Sequence, residues 1–265
     1  MSAHHVTAPS ARWIGARFTA GRPRLRLLCL PQAGGSGAAF AAWRPYVPEG
    51  LELVALELPG RGARFDEPLP TALGPLADAA LEGVRGELTL PYALYGHSFG
   101  GSLAYELTLR IERAGLPRPS ALVVSAARAP HLPLGREAVA DATEDELVAW
   151  LSRAEGLPRA LLDHPEFLRE LLRAVRADLV LAEGYRVPEP VAVGCPLLTL
   201  AGEEDEVATP AQVEPWAAYA SGTYRTRVVP GGHAYPRTHP RSTLSAVLGG
   251  LAELGVFPGE FDGQG

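Results

Sequence analysis

The sequence predicts an α/β fold: a mostly parallel central sheet with helices on both faces and a helical insertion above it. Three observations carry this. Apolar, β-rich runs alternate with helical patterns along the chain, the arrangement of a parallel sheet wound by crossover helices. The alternation breaks between about 128 and 190, where long amphipathic helical patterns replace strands. A serine between two glycines directly follows one strand and directly precedes a helix.

The elements follow in order. "LRLLCL" (Leu25–Leu30) reads as a strand, and the glycine-rich "PQAGGSG" as the loop after it. "LELVALEL" reads as the next strand, ending at Pro59. Residues 73–89 are helical in pattern, "YALY" is a short strand, and 99–114 form a helix. "ALVVSAA", "PLLTLAG" and "YRTRVVP" read as the remaining strands. Within the insertion, "ATEDELVAWLSRAEG" opens with a capping box, Thr143 and Glu146, ahead of an apolar stripe. "HPEFLRELLRAVRADLVLAEGY" is a second long helix with Pro165 near its start. Helices rich in Leu and Val at this place suit a lid over a site on the sheet. Ordinary crossover helices packed as core are the other reading.

Composition narrows the function. With 265 residues, 47% hydrophobic, the chain can bury a core as a single domain spanning 1–265. A net charge of −6 argues against general affinity for nucleic acid or anionic membrane. All 24 basic residues are Arg, which reads as coding bias rather than function. Cys29 and Cys195 each adjoin an apolar run and read as core thiols. Two cysteines are too few for a disulfide scaffold or a four-cysteine metal site, so no metal is expected. "MSAHHVTAPSARWIGARF" has no signal-like apolar stretch, and no run approaches membrane-spanning length. The expectation is a cytoplasmic protein without membrane contact.

The chemistry centres on "YGHSFGGSLAYE". A strand running into Gly96, turning at Ser98 and leaving as a helix is a nucleophile elbow, G-x-S-x-G. The turn lifts the hydroxyl above the carboxyl end of the sheet and aims a helix N-terminus at a developing oxyanion. Such a serine needs a base, and the base an orienting acid, in the chain order Ser, acid, His. Of seven histidines, His4 and His5 lie in the N-terminal stretch, His131 and His164 in the insertion, and His97 inside the elbow. His239 suits helix capping or exposure. His233 follows the last strand in "VVPGGHAYP", where two glycines permit a tight loop, and is the candidate base. "PLLTLAGEEDEVATP" ends in four carboxylates: Glu203, Glu204, Asp205 and Glu206. Asp205 is the candidate acid and Glu204 the alternative. Oxyanion donors are expected from the Phe99 amide and from the loop "LCLPQAGG", at Ala33 or else Gln32. That loop lacks the lysine and spacing of a phosphate-binding loop.

With these residues in place, the sequence resembles the type II thioesterases of polyketide and nonribosomal peptide assembly lines. The likeness rests on "LCLPQAGGSGAAFAAW", "LELPGRGARFDEP", "YGHSFGGSLAYE", "GEEDEV" and "VVPGGHAYP". It implies an α/β-hydrolase fold with a helical lid and a Ser98, Asp205, His233 triad. It also implies an oxyanion hole from Ala33 and Phe99. The implied activity is hydrolysis of acyl thioesters on the phosphopantetheine arms of acyl or peptidyl carrier domains, with no cofactor of the enzyme's own. A serine esterase for free esters, a specialised acyl-transfer or release enzyme, and a noncatalytic interaction protein are the alternatives. Arg61 and Arg64 in "PGRGAR" have two readings: a surface that meets the carrier, or internal ion pairs with Asp66 or Glu67.

Overall fold

The computed structural model describes residues 12–154, 157 and 163–257. His4, His5 and the end of the helical pattern at Glu155 and Gly156 lie outside them. Six strands form one sheet in the order β2-β1-β3-β4-β5-β6: β1 Ile14–Leu30, β2 Glu49–Leu56, β3 Tyr92–His97, β4 Ala121–Ser125, β5 Leu197–Gly202 and β6 Tyr224–Val229. β1, β3, β4, β5 and β6 pair in parallel in that order, with Leu28 opposite Leu94 and Leu94 opposite Leu122.

β1 begins eleven residues earlier than the apolar run alone indicates. Its first half pairs antiparallel with β2, Ile14 facing Leu56 and Ala20 facing Glu49. Gly21, at φ +65°, then turns the strand. Leu25–Cys29 pair with Leu51–Ala55, the partner numbers rising together.

Strand side chains alternate between two cores. Leu28, Leu94 and Leu122 face a cluster filled by α1 (Leu73–Val84) and α2 (Phe99–Arg113), together with Trp216 and Tyr219. Leu27, Tyr95 and Val123 face the other, filled by Phe40 and Trp43 and by the long C-terminal helix Pro240–Glu253. Each Leu or Val so buried contributes about 1.5–3 kcal/mol. Cys29 and Cys195 are buried free thiols within these cores.

Between β4 and β5 the chain carries α3 (Glu144–Ala154) and α4 (Pro165–Gly184). The capping box that starts α3 is formed: Thr143 N–H donates to Glu146 at 2.8 Å. The two helices share a small cluster of their own, Leu147 and Leu151 against Leu172, Val175 and Leu179, which also touches Ala33. α4 ends against α2, where the Tyr185 hydroxyl donates to Glu106 at 2.5 Å. Among the described residues no helix is long and apolar enough to cross a membrane.

Candidate active site

β3 delivers the serine. Ser98 sits at φ +55°, ψ −118°, a region L-residues rarely occupy, and α2 starts at the next residue. The glycines on either side have a steric cause. A Cβ on Gly96 would lie 2.0 Å from the Gly100 carbonyl oxygen, and one on Gly100 would lie 2.2 Å from that of Leu30. Both obstacles are backbone, which cannot swing aside.

Ser98 Oγ lies 2.9 Å from His233 Nε2, and His233 Nδ1 lies 2.8 Å from Asp205 Oδ2. A carboxylate only accepts, so Nδ1 carries the proton and Nε2 is left to accept from the serine. Asp205 Oδ1 accepts from the Val207 and Ala208 amides at 2.8 and 3.0 Å. Burial works against the Asp205 charge. The His233 hydrogen bond and charge and the two amides outweigh it, so its carboxyl lies below the usual carboxylate range. Glu203, Glu204 and Glu206 are exposed, and the loop turns only Asp205 inward. Backbone bonds join this loop to the histidine loop, Glu204 N–H to Gly231 O at 3.1 Å.

His97 takes part in a way that its place inside the elbow did not announce. It is buried, with Nε2 2.9 Å from the His233 carbonyl and Nδ1 3.0 Å from Ser125 Oγ. Tyr95 and Tyr235 hydroxyls also reach Ser125. Burial, then the nearby His233, push the His97 pKa down to about 3, so its ring is neutral at ordinary pH. His131 instead meets the Tyr219 hydroxyl, and His239 is exposed at the start of the C-terminal helix.

Ser98 lines a cavity of about 60 Å³ together with Ala33, Phe99 and side chains of α3 and α4. The Phe99 amide is the first of α2, and the helix offers it no acceptor of its own. Ala33 borders the cavity; the Gln32 carbonyl is engaged in a turn with the Gly35 amide at 2.9 Å. The wall is not purely apolar. Arg128, Arg136 and Glu183 join Trp150, Leu151 and Leu179 there. Glu183 pairs with Arg136 at 2.7 Å and accepts from the Val139 and Ala140 amides. Arg128 donates to the carbonyls of Ala129, Leu132 and Tyr185, which ties the two ends of the insertion together. Burial lowers its pKa to about 10, with Arg186 adding to the shift, and it stays charged at neutral pH.

The carrier-surface reading of Arg61 and Arg64 is corrected here. Both are buried, 5% and 6% exposed, and neither presents a cation to solvent. Arg64 pairs with Glu67, donates to the Glu57 carbonyl at 3.1 Å and stacks on Trp13 at 4.0 Å. Arg61 pairs with Asp178 on α4, a partner distant in sequence, and not with Asp66 or Glu67.

Residues 25–249 match the family model described as a thioesterase domain. A probable cadicidin biosynthesis thioesterase of Streptomyces griseus is 34% identical over 230 residues, 87% of this chain and 63% of that protein. The chain thus spans less than two thirds of that relative. The thioesterase PikA5 of Streptomyces venezuelae is 33% identical, over 89% of this chain and 84% of that one. Among solved structures, the RedJ thioesterase from the prodiginine biosynthetic pathway of Streptomyces coelicolor superposes with a TM-score of 0.77. It is 36% identical and covers 86% of this chain and 85% of its own. The fold is that of the α/β-hydrolases. Within it, the chain belongs to the thioesterase domain family.

Proposed function

We propose that the protein is a type II thioesterase of a polyketide or nonribosomal peptide pathway. It releases acyl groups from the phosphopantetheine arms of acyl or peptidyl carrier domains. The observation that carries this is the Ser98–His233–Asp205 relay, with Ser98 lining a cavity that side chains of α3 and α4 also line, in a chain of thioesterase ancestry. The chain works as one domain, with the insertion at about 128–190 as its lid.

In the proposed reaction His233 Nε2 takes the Ser98 proton as Oγ attacks the thioester carbonyl. The Phe99 and Ala33 amides receive the oxyanion. The C–S bond breaks and the proton passes from His233 to sulfur, freeing the arm as a thiol. Water, activated by the same imidazole, then attacks the acyl-enzyme and releases the acid. Asp205 holds the imidazole in the required tautomer throughout. No cofactor takes part, since the phosphopantetheine arrives attached to the carrier. A cytoplasmic site of action goes with that partner.

The test compares one short acyl group on three handles: a carrier domain, free pantetheine and a simple alcohol. Remote contacts with carrier and arm can position the thioester, so kcat/KM should be highest for the carrier. Best cleavage of the oxygen ester, with no carrier advantage, would replace this reading with a free-ester esterase.

A further inference from the structure

α4 reaches the reaction centre through one carboxylate. Asp178 has no exposed surface. Its Oδ2 accepts the Gly34 amide at 2.8 Å. Arg61 grips both oxygens, Nη1 on Oδ2 and Nη2 on Oδ1 at 3.0 Å. Packing closes the same gap: a Cβ on Gly34, which stands at φ +71°, would lie 2.3 Å from Val175 Cγ2 of α4.

Peptide geometry turns these contacts into an orientation. The Gln32 carbonyl and the Ala33 N–H belong to one rigid plane and point in opposite directions. The Gly35 amide holds that carbonyl at 2.9 Å. Asp178 holds the following plane through Gly34. With both planes fixed, the Ala33 N–H has one direction left to it, and Ala33 borders the cavity with Ser98. Stability alone is a weak reason for the ion pair, because apolar side chains of similar shape often stabilise a buried site as well or better.

We infer that Asp178, held by Arg61, is a positioning residue for the oxyanion hole, so that the hole is complete only while α4 is seated on the Gln32–Gly35 turn. This rests on the thioesterase reading and its Ser98 nucleophile. It makes the lid part of the catalytic apparatus: a displaced α4 releases Gly34 and with it the Ala33 amide.

The experiment uses two ketones with the same short acyl chain. Ser98 adds to a trifluoromethyl ketone: its proton goes to His233, and the carbonyl oxygen becomes an oxyanion in the hole. The matching methyl ketone occupies the cavity without appreciable addition. In the unaltered protein the trifluoromethyl ketone should bind far more tightly. The variant is the double Arg61→Met/Asp178→Leu, which removes both charges of the pair together. Loss of a single oxyanion donor costs about 10²–10³-fold in turnover, so its misplacement should cost about ten-fold or more. Trifluoromethyl ketone affinity and kcat should fall together by that factor, with methyl ketone affinity and KM within about two-fold. An unchanged ratio of the two affinities, or an equal loss of both, overturns the inference. No preference in the unaltered protein overturns the serine mechanism instead. Should the double variant fail to fold, hydrogen exchange in the unaltered protein decides. The trifluoromethyl ketone should slow exchange in 31–36 and in α4 together; slowing in 31–36 with α4 unchanged overturns the coupling.

Discussion

His97 donates its Nε2 proton to the backbone carbonyl of His233 at 2.9 Å. A carbonyl can only accept, so Nδ1 is the unprotonated nitrogen and accepts from Ser125 Oγ at 3.0 Å. The residue before Ser98 therefore anchors the backbone of His233. Ser98 and His233 are tied through a neutral ring as well as through their own hydrogen bond.

That neutrality has a pH signature in stability. The folded-state pKa of His97 is about 3, against about 6.5 for an unfolded histidine. Between these values the unfolded chain binds a proton that the folded chain refuses. The contribution is therefore complete above about pH 6.5 and is lost as pH falls toward 3, with a slope of about 1.4 kcal/mol per pH unit. Urea unfolding at pH 7, 6, 5 and 4 should show this decline, and His97→Asn should flatten it. An equal slope in the variant would place the pH dependence elsewhere. Asp205, whose carboxyl is depressed, adds stability above about pH 3.9 that disappears only in stronger acid.

Asp205→Asn should cut kcat by about 10³-fold or more, because the imidazole loses its anionic partner and its tautomer. Glu203→Gln, Glu204→Gln and Glu206→Gln should each change it by less than about two-fold, since these side chains are exposed and such surface changes cost little. Steady-state turnover of one acyl thioester measures all four.

Gly96→Ala and Gly100→Ala should each destabilise the fold by about 1–3 kcal/mol or more, read from denaturant midpoints, because the new methyl meets backbone rather than a movable side chain. Gly86→Ala, where a Cβ meets nothing within 4 Å, is the matched control.

Arg64→Gln should act on stability and not on the partner. It removes a pair with Glu67, a bond to the Glu57 carbonyl and the stack on Trp13. A loss of about 1–3 kcal/mol is expected, with KM for an acyl-carrier substrate unchanged. A raised KM at full stability would restore the surface role that its burial argues against.

What was legible in the sequence follows from how local each signal is. The inner strands announced themselves because both faces are buried, leaving apolar runs such as "LRLLCL" and "ALVVS" between turn residues. The first half of β1 escaped because only one face is covered. Ile14, Ala16, Phe18 and Ala20 alternate with Arg17 and Thr19, a period-two signal diluted by small side chains. The 3-10 stretch Gly37–Tyr46 escaped too, having no strong periodicity of its own. Ser98 and His233 were legible because glycines mark the tight backbone around each. Asp205 stood out from three acidic neighbours less clearly, since its selection depends on the Val207 and Ala208 amides. The Arg61–Asp178 pair was not legible at all. Its partners are 117 residues apart, and only the packing of α4 on the Gln32–Gly35 turn brings them together.

The most direct measurement of the central claim is intact and peptide mass spectrometry after rapid quenching with a short acyl-carrier thioester. The expected result is one added acyl mass, on the peptide that contains Ser98. Ser98→Ala should fold as the unaltered protein does, show no adduct and lose about 10³-fold or more of turnover. An adduct on another residue, or full turnover in Ser98→Ala, would contradict it.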